Sequence, residues 1–410
     1  MQIPAASLDE YRAVIGDRYV DELFRFGERL RGMRVQHINS TRVGGGVAEI
    51  LTRLVPLMNE VGLAATWDVI NGDDDFFRVT KAFHNAIQGM EVELTSADFD
   101  AYLRTNRRNA EKLDLYGDAV VIHDPQPAAL IDKRKASQLC LWRCHIDASN
   151  PMSRVWRFLE QFVMRFDASI FSAPAFVRPL PIPRFMIAPA IDPLSEKNRT
   201  LTDEQVASVC DRFGIDRKRP ILTQVSRYDR FKDPVGVVKM YRLVKESIDC
   251  QLVLAGGSAS DDPEGSAVLA EVQEAAGGDP DIKILLLPPT ANFEINALQR
   301  ASTIVIQKSS REGFGLTVTE ALWKGKPVIG GATGGIPMQI LDGGNGYLVS
   351  SPEGAAFRAR YLLNHPDVAG EMGRRGVEHV RQNFLVTRNL RDYLLMLTLM
   401  KQPKRRRVVL

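Results

Sequence analysis

The sequence has few cysteines and no long apolar run. Only four cysteines occur in 410 residues, and none forms a C-x-x-C pair, so neither a disulfide framework nor a zinc site is expected. Cys140 and Cys144 have the spacing of two side chains on one face of a strand, which predicts small core residues. The apolar stretches are far shorter than the roughly 20 residues that a membrane-spanning helix needs. We therefore expect a protein of the reducing cytoplasm, with no signal peptide and no membrane partner.

The chain also lacks a strong charge of either sign. Its formal net charge is +3, which is too small to indicate a nucleic-acid partner. One basic cluster stands at residues 404–407, within a tail at 402–410. A solvated terminus is the simpler interpretation of this tail, and contact with a membrane or a nucleic acid is the alternative.

Two motifs of nucleotide chemistry are missing as well. No G-x-G-x-x-G string follows a strand, so a dinucleotide-dependent dehydrogenase is a remote alternative. No D-x-D string stands in a convincing place, and the acidic run at residues 73–75 is expected to lie in a loop. We therefore predict no metal and no cofactor, since cationic side chains and helix dipoles can supply the positive charge.

Short strand-like runs alternate with helical patterns in two successive series. The first series begins at residue 34 and includes strands at 119–122, 139–142 and 169–171. A linker-like segment at 189–200 precedes the second series. We predict an α/β chain of two Rossmann-like doubly wound domains, 1–193 and 194–385, that face a central cleft. A last helix at about 386–401 is expected to pack back on the first domain.

A pair of carboxylates around a Gly-rich turn carries most of the chemical signal. Glu312 and Glu320 are eight residues apart, and the glycines between them allow backbone amides to approach a ligand closely. A helix opens after the turn, and its N-terminus favours an anion such as a diphosphate. The carboxylate of Glu320, near the end of the first helical turn, can accept two ribose hydroxyls. We therefore assign nucleotide-sugar binding to Glu320, Gly313, Phe314, Gly315, Leu316 and Thr317.

Two further motifs could bind the phosphates of such a ligand. Arg227 and Lys232 follow the first strand of the second domain and could converge on a leaving diphosphate, where negative charge accumulates. A solvated basic loop is the alternative. The turn of Gly44, Gly45 and Gly46 opens a helix after the first strand and suits a phosphate or a sugar, although a purely structural tight turn would look the same.

The string from Glu312 to Glu320 resembles the E-x7-E signature of retaining GT-B glycosyltransferases of family 4. The resemblance implies that Glu312 lies near the donor sugar ring, that Glu320 binds the nucleotide ribose, and that Arg227 and Lys232 bind the donor phosphates. It also implies that His145 contacts a hydroxyl of the donor sugar, whereas a satisfied core histidine is the alternative. On this basis Glu312, Arg227, Lys232 and His145 are assigned to catalysis.

Several strings resemble a narrower family, the trehalose glycosyltransferring synthases. They lie at residues 37–41, 44–51, 79–89, 123–130, 142–147 and 191–198, so the likeness covers nearly the whole chain. It implies formation of α,α-trehalose from an NDP-glucose and free glucose, in a reaction that is open to reversal. Polar residues that could hold the glucose acceptor, or could equally be capping or core-satisfying groups, are Asp124, Gln126, Arg143, His84 and Asn85.

Two alternatives stay open at this point. A trehalose phosphorylase would use phosphate or glucose 1-phosphate in place of a nucleotide, and a non-catalytic nucleotide-sugar-binding protein would not turn over. Since no residue is marked as a carboxylate nucleophile, we prefer front-face attack, in which the leaving diphosphate takes the proton of the acceptor. The preferred base and the oligomeric state are left open, a homodimer included.

Overall fold

The computed structural model describes residues 7–42, 46–257 and 263–401. Gly44, Gly45 and the basic tail at 402–410 lie outside the described residues, whereas Gly46 lies inside them. The chain forms two compact units. The first runs to Ala190 and resumes at Val386, and the second spans Ile191–Leu385. The domain boundary predicted after residue 193 stands next to this division.

The first unit is built on a parallel sheet. Its strands are β1 (Arg34–Asn39), β2 (Ala64–Val69), β3 (Ala119–His123), β4 (Leu139–Cys144), β5 (Ala168–Phe171) and β6 (Arg184–Met186). They are ordered β2-β1-β3-β4-β5-β6, and each neighbouring pair is parallel. The carboxyl ends of all these strands therefore lie at one edge of the sheet, where a doubly wound fold places its ligands.

Consecutive residues of the central strands β3 and β4 are buried, so this sheet is covered on both faces, as is usual for parallel strands. The α-helices that precede the second unit are α1 (Leu8–Ile15), α2 (Asp17–Arg29), α3 (Gly46–Glu60), α4 (Asp74–Ile87), α5 (Ser96–Lys112) and α6 (Ser153–Val163). The helix α3 starts at Gly46 and buries one apolar face that includes Leu51, Leu54 and Met58.

The second unit repeats the design with a sheet ordered β12-β11-β10-β7-β8-β9, again parallel between neighbours. Its strands are β7 (Ile221–Val225), β8 (Gln251–Gly256), β9 (Ile282–Leu286), β10 (Ile304–Gln307), β11 (Val328–Gly331) and β12 (Gly346–Val349). Its helices are α7 (Asp203–Arg212), α8 (Pro234–Lys245), α9 (Pro263–Ala276), α10 (Asn292–Ala301), α11 (Leu316–Trp323), α12 (Ile336–Gln339), α13 (Pro352–Asn364) and α14 (Pro366–Asn383).

The final helix, α15 (Val386–Lys401), belongs to the first unit. It packs against α2 and α3. Arg391 on this helix donates to Glu22 on α2, and Asn389 donates from Nδ2 to the carbonyl of Ala188. These contacts attach α15 to the helices and the backbone of the first unit.

The structure corrects the expectation for the acidic run at residues 73–75. This run is not a loop, because Asp73 caps α4 by accepting from the amide of Phe76 at 2.9 Å, and Asp74 and Asp75 form the first turn. Carboxylates are favourable there, since the N-terminus of a helix is the positive end of its dipole.

Several helices, α5 among them, have no counterpart among the predicted elements. For α5 the reason is that its buried face includes Tyr102, Asn106 and Asn109, polar side chains that do not register as an apolar stripe. All four cysteines are buried free thiols, and Cys140 and Cys144 are core side chains as predicted. Within the described ranges, no helix combines the length and the apolar character that crossing a bilayer requires.

The Tyr102 side chain on α5 holds the segment that follows β3. Its hydroxyl donates to the carbonyl of Pro125 at 2.8 Å and accepts from the amide of Ala129 at 3.3 Å, in a fully buried position. Asp124 and Gln126, two candidate ligands of the acceptor sugar, flank Pro125 in this segment.

Tyr102→Phe is expected to lower the free energy of unfolding by about 1 to 3 kcal/mol, because the Pro125 carbonyl loses its buried donor. Urea unfolding followed by tryptophan fluorescence measures the change. Tyr116→Phe is the matched control, since the Tyr116 hydroxyl bonds to Thr66 Oγ1 at an exposed position. An equal loss in both variants would contradict the assignment to the buried hydrogen bond.

Candidate functional site

The turn that carries Glu312 connects β10 to α11 in the second unit. Gly315 caps the helix with a φ of 79°, a left-handed conformation that glycine adopts without strain. The helix begins at Leu316, and the amides of its first turn, including that of Thr317, have no acceptor within the helix. This turn therefore offers backbone donors and the positive end of a helix dipole at one place.

A second glycine pair packs against this turn. The amide of Gly335 donates to the carbonyl of Gly313 at 2.7 Å, and a side chain on Gly334 would collide with the carbonyl of Glu312. The ring of Phe314 is buried and meets Phe384 edge-on, with 5.6 Å between the centroids. The ring of Phe314 anchors the turn to the core, and contact of Phe314 with the ligand stays a prediction.

The Glu312 carboxylate is surrounded by donors. Lys232 Nζ lies 2.7 Å from each carboxylate oxygen, and the Glu312 side chain is only 8% exposed. Oε2 also accepts from Ser309 Oγ at 3.1 Å and from Gln307 Nε2 at 3.4 Å, and Oε1 accepts from the amide of Gly313 at 3.1 Å. These contacts fix the carboxylate in one orientation.

Glu320 lies on the buried side of α11 and is 3% exposed. Lys197 Nζ stands 3.6 Å from its Oε1. One turn further on, Lys324 Nζ donates to the Glu320 carbonyl at 3.2 Å and to Asn198 Oδ1 at 3.0 Å. Burial lowers the pKa of Lys324 to about 7, although the Glu320 carboxylate acts in the opposite direction. The segment that precedes α7 thereby becomes part of the wall around Glu320.

The two cations predicted to bind a diphosphate engage different carboxylates. Arg227 is 68% exposed and lies 3.5 Å from Asp229, whereas Lys232 is mostly covered and pairs with Glu312. The short 3-10 helix Arg230–Lys232 follows Asp229 and brings Lys232 to Glu312. Convergence of Arg227 and Lys232 on one anion stays a prediction.

In the first unit, Asp124 and His145 meet at the ends of β3 and β4. Asp124 has a φ of 63°, which is uncommon outside glycine but is tolerated by aspartate. Its Oδ1 accepts from the amide of His145 at 2.7 Å, and its carbonyl accepts from Trp142 Nε1 at 3.1 Å. Burial raises the pKa of the Asp124 carboxyl to about 6. The two predicted ligands are thus one connected group.

His145 is also the end of a row of three imidazoles. Nδ1 of His37 and Nε2 of His123 are 3.0 Å apart, and Nδ1 of His123 and Nε2 of His145 are 3.0 Å apart. Burial lowers the pKa of His37 to about 3. Burial and the nearby charge of Arg143 place the pKa of His145 well below its ordinary value, and the pKa of His123 is low for the same reasons and because of its histidine neighbours. All three rings are therefore neutral at pH 7.

The other candidate ligands of the acceptor sugar differ in burial and in hydrogen bonding. Arg143 is 1% exposed and donates from Nη2 to the carbonyl of Ile187 at 2.6 Å, which gives it a structural task inside the unit. Gln126 Oε1 is buried and finds no hydrogen-bond partner among the described residues. His84 and Asn85 lie half-buried on α4. Their contact with a sugar stays a prediction.

Some residues of these clusters were not singled out from the sequence. Ser309 and Gln307 hold Glu312, Lys197 stands beside Glu320, and His37 and His123 complete the imidazole row. Lys197, His37 and His123 lie in strings that carry the family resemblance, but nothing in those strings marks a role. A histidine near the carboxyl end of three strands was the available signal for the row.

Each of the two units matches a known family of proteins. A family model described as "Trehalose synthase, N-terminal domain" matches residues 37–178, and one described as "Glycosyl transferases group 1" matches residues 210–379. The chain is 47% identical over 394 residues to a trehalose synthase from Pyrococcus horikoshii, covering 94% of this chain and 95% of that protein. It is 31% identical over 417 residues to a trehalose phosphorylase from Pleurotus pulmonarius, covering 88% of this chain and 56% of that protein.

Among solved structures, the sucrose-phosphate synthase of Thermosynechococcus elongatus matches with a TM-score of 0.70 at 17% identity, covering 90% of this chain and 99% of the other. This likeness concerns the fold, and it confirms the predicted GT-B class. The family model of the second unit confirms the predicted glycosyltransferase class. With 47% identity along almost its full length, the chain belongs to the trehalose synthase family of group 1 glycosyltransferases.

Proposed function

We propose that the protein transfers a glucosyl unit, with retention, from an NDP-glucose to free glucose, and so forms α,α-trehalose in a reversible reaction. The observation that carries the proposal is a Glu312 carboxylate fixed beside a helix N-terminus in a chain that is 47% identical to a trehalose synthase. UDP-, ADP- and GDP-glucose are the candidate donors.

The surroundings of Glu312 favour a binding role over a nucleophilic one. A carboxylate offers about four lone-pair sites, and those of Glu312 are taken by Lys232, Ser309, Gln307 and Gly313. When a diphosphate enters, the Lys232 ammonium can turn toward it, which leaves one site on Oε1 for a sugar hydroxyl. The other three donors keep the carboxylate in place, as sugar positioning requires.

Retention then proceeds by front-face attack. The bond from C1 to the phosphate oxygen breaks, the bond from C1 to the glucose hydroxyl oxygen forms on the same face, and the hydroxyl proton passes to the departing phosphate oxygen. The products are trehalose and the nucleoside diphosphate. Negative charge on the leaving group is stabilised by Arg227, by Lys232 and by the first-turn amides near Leu316 and Thr317.

Glu320 supports a nucleotide donor over inorganic phosphate. Its buried carboxylate beside Lys197 is suited to two adjacent hydroxyls, which a ribose has and a phosphate ion lacks. For the acceptor glucose, Gln126 is a candidate ligand. Its Oε1 is a buried hydrogen-bond acceptor without a donor among the described residues, and a glucose hydroxyl would provide that donor. Asp124, Arg143, His84 and Asn85 complete the proposed acceptor set, and His145 serves a sugar hydroxyl.

The proposed function is tested by incubating the protein with glucose and, in separate reactions, UDP-, ADP- or GDP-glucose or glucose 1-phosphate. Trehalose is expected with at least one nucleotide donor, and also in the presence of EDTA, because cationic side chains stabilise the diphosphate. Chromatography of the products measures the outcome. Trehalose from glucose 1-phosphate alone would identify a phosphorylase, and binding of a donor without product would identify a non-catalytic protein.

Glu312→Gln is expected to lower kcat/KM by roughly 10²- to 10³-fold while the product keeps the α configuration, because charge and positioning are lost but no nucleophile is removed. Intact-mass spectrometry of quenched wild-type reactions is expected to show unmodified protein. Glu271→Gln is the control, since Glu271 pairs with Arg230 at the surface. A glucosyl adduct on Glu312 or on any other carboxylate of the protein would contradict the front-face mechanism.

Glu320→Gln is expected to remove the discrimination between the preferred donor and its 2′-deoxyribose and 3′-deoxyribose analogues. Each analogue should cost the wild-type protein roughly 10-fold in kcat/KM, the value of a hydrogen bond to a charged group. Steady-state kinetics with the three donors measures the effect, and Glu294→Gln, a surface partner of Arg212, is the control. Equal losses in the wild type and in Glu320→Gln would show that the ribose is bound elsewhere.

A further inference from the structure

The imidazole row follows from the register of three neighbouring strands. His37 on β1 is opposite Val121 on β3, and His123 lies two residues beyond Val121 on the same strand. In the same way, His123 is opposite Arg143 on β4, and His145 lies two residues beyond Arg143. Since alternate residues of a strand share a face, each histidine lies one strand over and two residues forward from the previous one.

The two short contacts leave this row only two arrangements of protons. Each N···N distance of 3.0 Å needs one nitrogen with a proton and one without, and each neutral ring has one proton. If His123 carries its proton on Nδ1, then His37 and His145 must carry theirs on Nδ1 as well. If His123 carries it on Nε2, all three rings are protonated on Nε2.

The buried end of the row distinguishes the two arrangements. His37 is fully buried, and no donor or acceptor in the described parts of the chain reaches its Nε2. A proton there would be an orphaned buried N–H, which proteins avoid more strictly than an unused acceptor. The nearest ring, that of Tyr393, has its centroid 5.7 Å from that of His37, and an aromatic face is at best a weak acceptor.

We propose that the row is polarised outward, with the proton on Nδ1 of His37, His123 and His145, so that His145 presents a fixed N–H donor at its partly exposed end. His37 and His123 are then positioning residues, because each donates to the next ring and so determines the tautomer of His145.

The surroundings keep the row neutral, as this counting of protons requires. Burial disfavours an imidazolium at each ring, and the Arg143 guanidinium, which is itself buried, lowers the pKa of both His123 and His145. The ring of His123 also contacts the rings of both His37 and His145. Within the described residues, no three His, Cys, Asp or Glu side chains gather around a common point as a metal site would require.

This inference rests on the proposed function for its consequence at the sugar. A fixed Nδ1–H at His145 can donate to a hydroxyl oxygen but cannot take a proton from it. His145 therefore orients a sugar hydroxyl through the lone pair of that hydroxyl and does not act as a general base. A hydroxyl that receives this bond keeps its own proton for an acceptor elsewhere in the site.

Nitrogen NMR of the full chain with 15N-labelled histidine tests the proposal without any activity measurement. The chain has six histidines, so single substitutions can assign the signals. At neutral pH, Nδ1 of the three rings is expected to resonate as a protonated nitrogen and Nε2 as an unprotonated one. Scalar coupling across the two N–H···N bonds is expected, from His37 to His123 and from His123 to His145.

His37→Phe should abolish the first coupling and retain the second, whereas the control His379→Phe, in the second unit, should leave both. Protonated Nε2 in the three rings, or the absence of both couplings in the wild-type protein, would overturn the proposal. His145→Asn, which keeps an N–H donor, should retain more turnover than His145→Ala. The predicted nitrogen signals together with unchanged turnover of His145→Ala would support the polarised row and reject only the contact of His145 with the sugar.

Discussion

Buried polar side chains at the carboxyl ends of two parallel sheets must find their hydrogen-bond partners within the protein. A buried group without a partner costs about 1 to 3 kcal/mol, and both units place several such groups where the chain leaves the sheet. In the second unit, Lys232 and Glu312 satisfy each other across the segments that follow β7 and β10. In the first unit, three imidazoles satisfy one another across β1, β3 and β4. Both solutions hold the side chains in position before a ligand arrives.

The two units meet this constraint with different charge. The second unit uses an ion pair and a helix N-terminus, and the Lys232 ammonium and the helix dipole are the positive charges proposed to meet an anion. The first unit uses neutral rings, and the buried charge of Arg143 opposes their protonation. This division matches the proposed ligands, since a diphosphate is charged and the hydroxyls of glucose are not.

Local features of the fold could be predicted from the sequence. Clusters of side chains that come from separate strands and loops could not. The turn around Gly315 and the helix from Leu316 were predictable, because the glycine signal and the helix pattern are both local. The contacts of Glu312 with Ser309 and Gln307, and of Glu320 with Lys197, depend on how loops from separate strands meet.

The imidazole row is a clearer example of a cluster that could not be predicted from the sequence. Its histidines are separated by 86 and 22 positions in the chain, and only the strand order β1-β3-β4 and the residue-by-residue register bring them into line. A shift of one residue would turn each histidine to the opposite face of the sheet. The acidic run at 73–75 was wrongly predicted to be a loop. The reason is that an acidic run has the same composition in a loop and in the first turn of a helix.

The state of these groups has a consequence for reversal of the proposed reaction. Glu312 is proposed to hold a hydroxyl of the donor sugar, and an outward-polarised His145 can donate but cannot accept, so neither is assigned the proton of the attacking hydroxyl. In front-face transfer that proton moves between the two oxygens that exchange their bond to C1. No side chain then has to change its protonation state during the reaction in either direction. The same arrangement of charges and donors therefore serves the proposed reaction in both directions, and the equilibrium constant together with the concentrations of the reactants sets the direction.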